Sequence, residues 1–404
     1  MKIKILAFFC GPLDGTYNSR FLYLGDLLDS HDVEVITTDF NHYGKCFYPQ
    51  TVEEHRYPIT QIHEPAYKKN ISLSRFYSHF VWAKNIKKYL ETIDKPDLIY
   101  IAVPTLLAAY YAERYCKKNK ITSIVDVQDL WPEAFQMVFN IPVISNIIFQ
   151  PFSYLANSVY KGADRIVAVS ETYTKRALLG LDKKSCTVFL GTDLRTFDSN
   201  VRQNTNSILS EVSLSKQPNE IWVGYCGSLG DSYDIDCVID ALSILKDDDQ
   251  LSLKLVVMGE GYKKESFIRH SEEKKIDHIF TGNLPYEKMC ALLSLCDIAV
   301  NPIVGKSAAS IINKHADYAS AGIPVINTQE SVEYRNLVDS YHMGFNTPNG
   351  DPAAMAKMIK LLACDEEKRS IMGRNARRCA EDKFDRRSTY TKIVELIEDG
   401  ASMS

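Results

Sequence analysis

The chain has 404 residues, of which 45% are hydrophobic and 24% charged, and its formal net charge is −4. That length exceeds one ordinary core and implies two domains of similar size, and the composition is that of a soluble globular protein. The negative charge argues against a general nucleic-acid binder. None of the ten cysteines falls in a Cys-x-x-Cys pair, so buried thiols in a reducing compartment are expected rather than a disulfide framework or a zinc site.

The chain opens with MKIKILAFFCGPLDG, whose short apolar run lacks a small-x-small cleavage pattern and passes into a Gly-containing turn. It reads as a first buried strand rather than a signal peptide. KIKILAFF, VEVITT, LIYIAV, ITSIVDV and RIVAVS predict strands buried on both faces, with helical patterns such as SRFLYLGDLLDS and LLAAYYAERYCKKN between them. The polar stretch 198–218 predicts an interdomain connection. Beyond it, IWVGYCGSLG, LKLVVMGEG, HIFTGN, DIAVNP and IPVINT predict five more strands, and FDRRSTYTKIVELIED predicts an amphipathic helix. The alternation implies an α/β fold of two doubly wound, Rossmann-like domains over 1–200 and 218–383, with ligands beyond the carboxyl ends of the strands. Residues 384–404 are expected to form a helix that crosses back to the first domain. No run of about 20 uninterrupted apolar residues occurs, so a spanning helix is not expected and the cytoplasm is the expected address.

Candidate ligand turns follow several strands. Gly11-Pro-Leu-Asp-Gly15-Thr16 is either a plain β–α turn or one whose amides approach a ligand, with Gly15 and Thr16 as the contacts. Gly224-Tyr-Cys-Gly227-Ser228-Leu-Gly230, Val257-Met-Gly259-Glu-Gly261 and Phe280-Thr-Gly282-Asn283 put glycines at three more strand exits, which together favour a nucleotide pocket. The segment from Asn301 to Ile326 then runs from a strand through a small-residue loop into a helix. Lys306, Ser307 and the helix start suit a diphosphate. Ser310, Lys314 and Asp317 share one helix face by their spacing, where a cation suits phosphate oxygens and a carboxylate suits ribose hydroxyls. The alternative is a solvated Lys–Asp pair. His315 is expected to pack against the sheet. The acidic strings Asp234-Ile-Asp236 and Asp247-Asp248-Asp249 read as a helix cap and a polar loop, not a metal site.

Taken in order, Val167-Ala-Val-Ser170-Glu, Leu190-Gly191-Thr-Asp193, Val223-Gly-Tyr-Cys-Gly227 and Tyr318-Ala-Ser-Ala-Gly322-Ile-Pro-Val-Ile resemble glycosyltransferase family 4, the retaining enzymes of the GT-B fold. Asp129-Leu-Trp131-Pro132-Glu133 resembles a segment of its capsule and O-antigen branch. The resemblance implies two Rossmann-like domains facing a cleft, the first holding the acceptor and the second a nucleotide-sugar. It further implies hexosyl transfer from a nucleotide-diphosphate donor, with a UDP-sugar expected, to a lipid-linked or saccharide acceptor in surface polysaccharide biosynthesis. No cofactor and no metal are expected, the nucleotide-sugar being a substrate.

Where many relatives carry a His near the reacting sugar, this chain has none, and Asp126 and Asp129 are the candidates for that neighbourhood; Asp129 equally suits a helix cap. The family's Glu-x7-Glu pair falls on Ala309 and Asp317, its usual Arg on Ser228 and its usual Lys on Tyr233. Phosphate neutralisation then rests on Lys306 and Lys314. Such departures leave open a sugar-nucleotide epimerase of the same architecture or a non-catalytic partner subunit. Finally, residues 67–90 mix Lys68, Lys69, Arg75, Lys84, Lys87 and Lys88 with Phe76, Tyr77, Phe80 and Trp82. This pattern fits peripheral binding to the anionic inner leaflet, or an ordinary amphipathic helix with its lysines in water.

Overall fold

The computed structural model describes residues 1–11, 13, 19–42, 44–49, 55–69, 72–133, 144–305 and 311–399. The chain divides into two compact units, one of Met1–Phe189 together with Thr389–Ser404, the other of Leu190–Ser388.

The first unit is built on strands β1 (Lys2–Leu6), β2 (Asp32–Thr38), a short β3–β4 pair (Phe40–Asn41 and Cys46–Phe47), β5 (Ile59–Ile62), β6 (Leu98–Val103), β7 (Thr122–Val127), β8 (Arg165–Ala168) and β9 (Ser185–Thr187). Seven of them form a parallel sheet in the order β5-β2-β1-β6-β7-β8-β9. All six residues of β6 are buried, as expected of a central parallel strand covered by helices on both faces. The helix Thr391–Glu398 belongs to this unit, and Tyr390, Ile393, Leu396 and Ile397 are part of its core with Ile3, Ile5, Leu24 and Val35.

The second unit carries β10 (Glu220–Cys226), β11 (Ser252–Met258), β12 (Asp277–Gly282), β13 (Ile298–Asn301), β14 (Val325–Asn327) and β15 (Gly344–Asn346), a parallel sheet in the order β12-β11-β10-β13-β14-β15. Helices Ile235–Leu245 and Pro352–Cys364 cover its core through Val238, Ile239, Leu242, Met355 and Ile359.

The stretch 198–218 is not a connection. The helix Leu194–Glu211 takes up most of it. Asp193 caps its start by accepting from the Thr196 amide, and Leu194, Phe197 and Ile208 are its buried residues. The helix packs on Tyr286–Ser294 inside the second unit. Three apolar anchors among polar residues sufficed, because only one narrow face is covered. The chain enters this unit at Leu190, upstream of the polar stretch.

Candidate functional site

In the second unit the chain proceeds from β10 outward to β11 and β12, then restarts at β13 on the other side. The β10/β13 boundary is therefore where strand order reverses, the place where open parallel sheets bind ligands. Gly227, the first residue past β10, has φ +139, and its amide donates to the Met258 carbonyl at 2.9 Å. The loops after β10 and β11 lie against each other. A Cβ at Gly259 would fall 1.8 Å from the Gly227 carbonyl oxygen, and Leu229 donates to the Glu260 carbonyl at 2.9 Å. Gly259 and Gly261 thus serve loop-to-loop packing, whereas a Cβ at Gly227 would meet the side chains of Lys314 and Tyr225.

Lys314 reaches this same turn from the helix Asn313–Ser320. Its Nζ donates to the Tyr225 hydroxyl at 3.0 Å and lies 4.2 and 3.7 Å from the ring centroids of Tyr225 and Tyr233. The Tyr225 hydroxyl in turn donates to the Ser228 carbonyl at 2.7 Å. Lys314 is only 7% exposed, and among the described residues no carboxylate lies within 4.0 Å of its ammonium. Burial pulls it down from the ordinary lysine range to about 7, against the weaker opposing pull of Cys226 and Asp317. A buried cation without a counter-charge is costly. The two tyrosine faces soften that cost by cation–π attraction and leave the charge available to an incoming anion.

Asp317 stands one helical turn on. Its Oδ1 accepts from Tyr286 at 2.9 Å, and the Tyr286 hydroxyl pairs with Thr192 Oγ1 at 2.7 Å. Its Oδ2 has no hydrogen-bond partner among the described residues. Burial pushes the carboxyl up to about 6, opposed by the Tyr286 hydrogen bond and by Arg386 and Lys314. A solvated Lys–Asp surface pair is therefore not what this face carries: both side chains are buried, and each has been drawn toward its neutral form.

Beneath them lies a polar layer that the sequence reading missed. Asn301, Asn327 and Asn346 end three adjacent strands in register and hydrogen-bond in series, Nδ2 to Oδ1, at 2.8 Å each. His315 is fully buried, pairs with Asn301 at 3.2 Å and stacks on Tyr334 with centroids 3.4 Å apart. The signal was the recurrence of Asn at the end of three apolar runs.

The other expected contacts divide. Ser228 is exposed at the β10 turn. Gly282 ends the edge strand β12 and Asn283 follows it, two strand positions from β10, or about 10 Å across the sheet. Gly282 lies against Glu260, and Asn283 is exposed. Lys306, Ser307 and Ser310, like Gly15 and Thr16, lie outside the described residues. Asp234 caps the helix Ile235–Leu245 by accepting from Cys237 at 3.0 Å, and Asp248 pairs with Lys360.

In the first unit Asp126 lies inside the sheet, on β7. It is fully buried, accepting from Arg20 Nε at 2.8 Å, Tyr100 at 2.7 Å and Gln128 at 2.7 Å. Arg20 also donates to the Tyr390 hydroxyl at 3.1 Å, so the pair joins β7 to the last helix. A carboxylate so engaged holds these elements together. Asp129 is half-buried; it accepts from Trp131 Nε1 at 3.1 Å and from the Leu130 amide at 2.9 Å.

On the helix Leu73–Leu90, Leu73, Phe76, Tyr77 and Phe80 are exposed, in line with Lys84, Lys87 and Lys88. Trp82, Ile86 and Leu90 face the core. Among the described residues no helix is long and apolar enough to cross a membrane.

Comparison with known proteins accords with this geometry. Residues 209–379 match the family model of glycosyl transferases group 1. The chain is 23% identical over 152 residues to the protein named "Probable glycosyltransferase WbjE" of Pseudomonas aeruginosa, a stretch that is 37% of this chain and 37% of that protein. Its fold is similar to that of HepE from Anabaena in complex with UDP, with a TM-score of 0.68 at 18% identity, over 99% of this chain and 100% of the other. It is also similar to sucrose-phosphate synthase from Thermosynechococcus elongatus, with a TM-score of 0.76 at 15% identity over 100% of both chains. The second unit is therefore a glycosyl transferases group 1 domain, and the chain that carries it has the GT-B fold of glycosyltransferases.

Proposed function

We propose that the chain is a retaining, metal-independent glycosyltransferase that moves a sugar from UDP to a lipid-linked or saccharide acceptor in surface polysaccharide assembly. The observation that carries this reading is the buried ammonium of Lys314, without a carboxylate partner among the described residues, beside Gly227 at the switch point of the second sheet. A nucleoside diphosphate is the ligand whose charge and reach suit it, and HepE, a protein of the same fold, is known in complex with UDP and with UDP-glucose.

In the reaction the bond between the sugar's anomeric carbon and the β-phosphate oxygen breaks, and the acceptor hydroxyl oxygen bonds to that carbon from the same face. The acceptor's proton passes to an oxygen of the departing diphosphate. Negative charge grows on that diphosphate as the bond breaks, and a fixed ammonium with oriented amides stabilises it without reorganisation. Asp317 Oδ2 accepts from the ribose hydroxyls. The exposed face of Leu73–Leu90, with its aromatic side chains and lysines, rests on the anionic inner leaflet, where a lipid-linked acceptor is presented.

Calorimetry with UDP and GDP, followed by incubation with UDP-sugars, tests the reading. UDP should bind tighter than GDP, and a UDP-sugar should slowly release free sugar in the absence of acceptor, with or without EDTA. Interconversion of the donor sugar would make the chain an epimerase. No binding and no turnover would make it an inert subunit.

A further inference from the structure

The helix Asn313–Ser320 starts without the usual cap. Its N-cap residue is Ile312, whose side chain has no oxygen to accept the first amides of the helix. The helix has only eight residues, and Lys314 is the second of them. Helices fray first at their ends. The residue that must hold a buried ammonium beside Gly227 therefore stands in the turn least secured by the helix's own hydrogen bonds.

His315 supplies what Ile312 lacks. As the third residue of the helix it reaches back: its Nδ1 accepts from the Ile312 amide at 3.3 Å, and its own amide donates to the Ile312 carbonyl at 3.1 Å. This is the returning half of a capping box, with an imidazole where Glu or Gln usually stands. An amide can only donate, so Nδ1 is bare and the neutral ring carries its proton on Nε2. Burial first, then Lys314, holds the imidazole well below its ordinary range, which keeps the ring neutral. A protonated ring would set two donors against each other.

The far side of the ring is fixed as well. Nε2 faces Asn301 Nδ2 at 3.2 Å and hydrogen-bonds the side chain of Gln329, whose Oε1 also accepts from Asn301 at 3.3 Å. The ring lies flat on Tyr334 of the helix Val332–Tyr341, at 4°. Because Asn301 continues through Asn327 to Asn346, this one buried side chain ties the start of the helix to the ends of β13, β14 and β15. A leucine would fill the same space but leave the Ile312 amide and Gln329 without this partner.

We propose that His315 is a positioning residue for the nucleotide: by capping the Ile312 amide through Nδ1, it sets the first turn of Asn313–Ser320 before ligand arrives, and with it the backbone from which Lys314 reaches the diphosphate. His315 is fully buried and acts only through that turn. A first turn held in advance spares the ligand the cost of ordering it. The proposal rests on the UDP reading and divides one ring into two roles, placement of the helix start through Nδ1 and support of the core through Nε2 and the Tyr334 face.

Three substitutions in the full chain test it. Counted in bonds from Cβ, the side-chain oxygen of Asn stands where Nδ1 does, and the side-chain nitrogen of Gln stands where Nε2 does. His315→Asn therefore keeps the cap and loses the core contacts, His315→Gln does the reverse, and His315→Leu has neither. By calorimetry, UDP affinity should stay within about threefold of wild type in the Asn variant and fall roughly tenfold or more in the Gln and Leu variants, the scale of a lost helix cap. Urea melts should rank Gln above Asn. A pure packing role cannot cross the two rankings, because affinity would then follow stability. Hydrogen exchange of the Ile312 amide, read at single residues by mass spectrometry, should be slow without UDP in wild type and Asn, and about tenfold faster or more in Gln and Leu. Equal losses of affinity in Asn and Gln, or full affinity in Leu, in a wild type that binds UDP, overturn the positioning role alone. So does an Ile312 amide that exchanges in empty wild type as freely as in unfolded chain, a result that needs no variant to fold. A wild type whose Ile312 amide is protected but which does not bind UDP overturns the nucleotide reading, and the positioning role with it.

Discussion

A Cβ at position 227 would lie 2.6 Å from the Nζ of Lys314, so the glycine and the lysine occupy one site between them. The backbone at 227, at φ +139, is also one that side chains rarely adopt. Gly227→Ala should displace the ammonium and weaken UDP binding at least tenfold, with a loss of about 1–3 kcal/mol in stability. Calorimetry and urea unfolding of the same preparation separate the two effects. An alanine variant that binds UDP as wild type does would place the nucleotide elsewhere.

Removing the charge should damage turnover and improve the empty fold. Lys314→Met should lower kcat by roughly 10²-fold, the scale for losing one preorganised charge partner. Folded Lys314 titrates near 7, whereas an unfolded lysine titrates near 10.5. Below pH 7 both states carry the proton and the folded state bears the full burial penalty; between about 7 and 10.5 only the unfolded state holds it, so the penalty fades as pH rises. Lys314→Met should therefore be more stable than wild type at pH 6, and urea melts should show the gap closing toward pH 10.

The same titration governs binding. A diphosphate favours the ammonium, so UDP affinity should fall by about tenfold per pH unit once pH passes 7, accompanied by proton uptake. Calorimetry in buffers of different ionisation enthalpy reads that proton directly. A flat affinity from pH 6.5 to 9, with no proton taken up, would remove Lys314 from the diphosphate.

Asp317 makes an opposite demand. Its folded carboxyl, raised to about 6, lets the folded state hold a proton between about 3.8 and 6 that the unfolded state has lost, so its contribution to stability declines as pH rises through that window. Asp317→Asn should be at least as stable as wild type at pH 7.5. UDP affinity should nonetheless rank wild type, then Asn, then Ala, because a carboxylate accepting ribose hydroxyls makes bonds of about 1.5–3 kcal/mol each. A folded Ala variant with undiminished affinity would move the ribose away from this helix.

For the membrane face, co-sedimentation with vesicles containing about one third phosphatidylglycerol is the assay. Changing Lys84, Lys87 and Lys88 together to Glu should reduce partitioning by at least 10²-fold at low salt, taking about 1 kcal/mol per lost cation. Binding that ignores both the charges and the salt would leave this helix an ordinary solvated surface.

Much of the fold was legible because interior parallel strands are continuous apolar runs: β6, β7, β10 and β13 stand out as blocks in the chain. Leu194–Glu211 was lost because Leu194, Phe197 and Ile208 are too sparse to make a visible period. At the site, the i, i+3 spacing of Lys314 and Asp317 was enough to put them on one face. Tyr225, some 90 residues upstream, could not be paired with Lys314 from local pattern, since only the sheet brings them together. The partners of Asp126 were hidden for the same reason. Arg20 is 106 residues away in the chain, and only the fold brings it to this acid near the end of β7.

The placement of Tyr390, Ile393, Leu396 and Ile397 in the core with Ile3 and Val35 bears on how the protein is made. A ribosome delivers the first 189 residues long before these four side chains exist, so the first unit must wait, part-finished, while the entire second unit is synthesised and free to fold. Until then the apolar surface they will cover stays open, and Arg20 has Asp126 but not the Tyr390 hydroxyl that its other end meets in the finished protein. Closing contacts across nearly four hundred residues is slow relative to local packing. Chains stalled or truncated before residue 390 should therefore be the aggregating species during expression, and a chaperone that shields this one surface would raise the yield of folded protein.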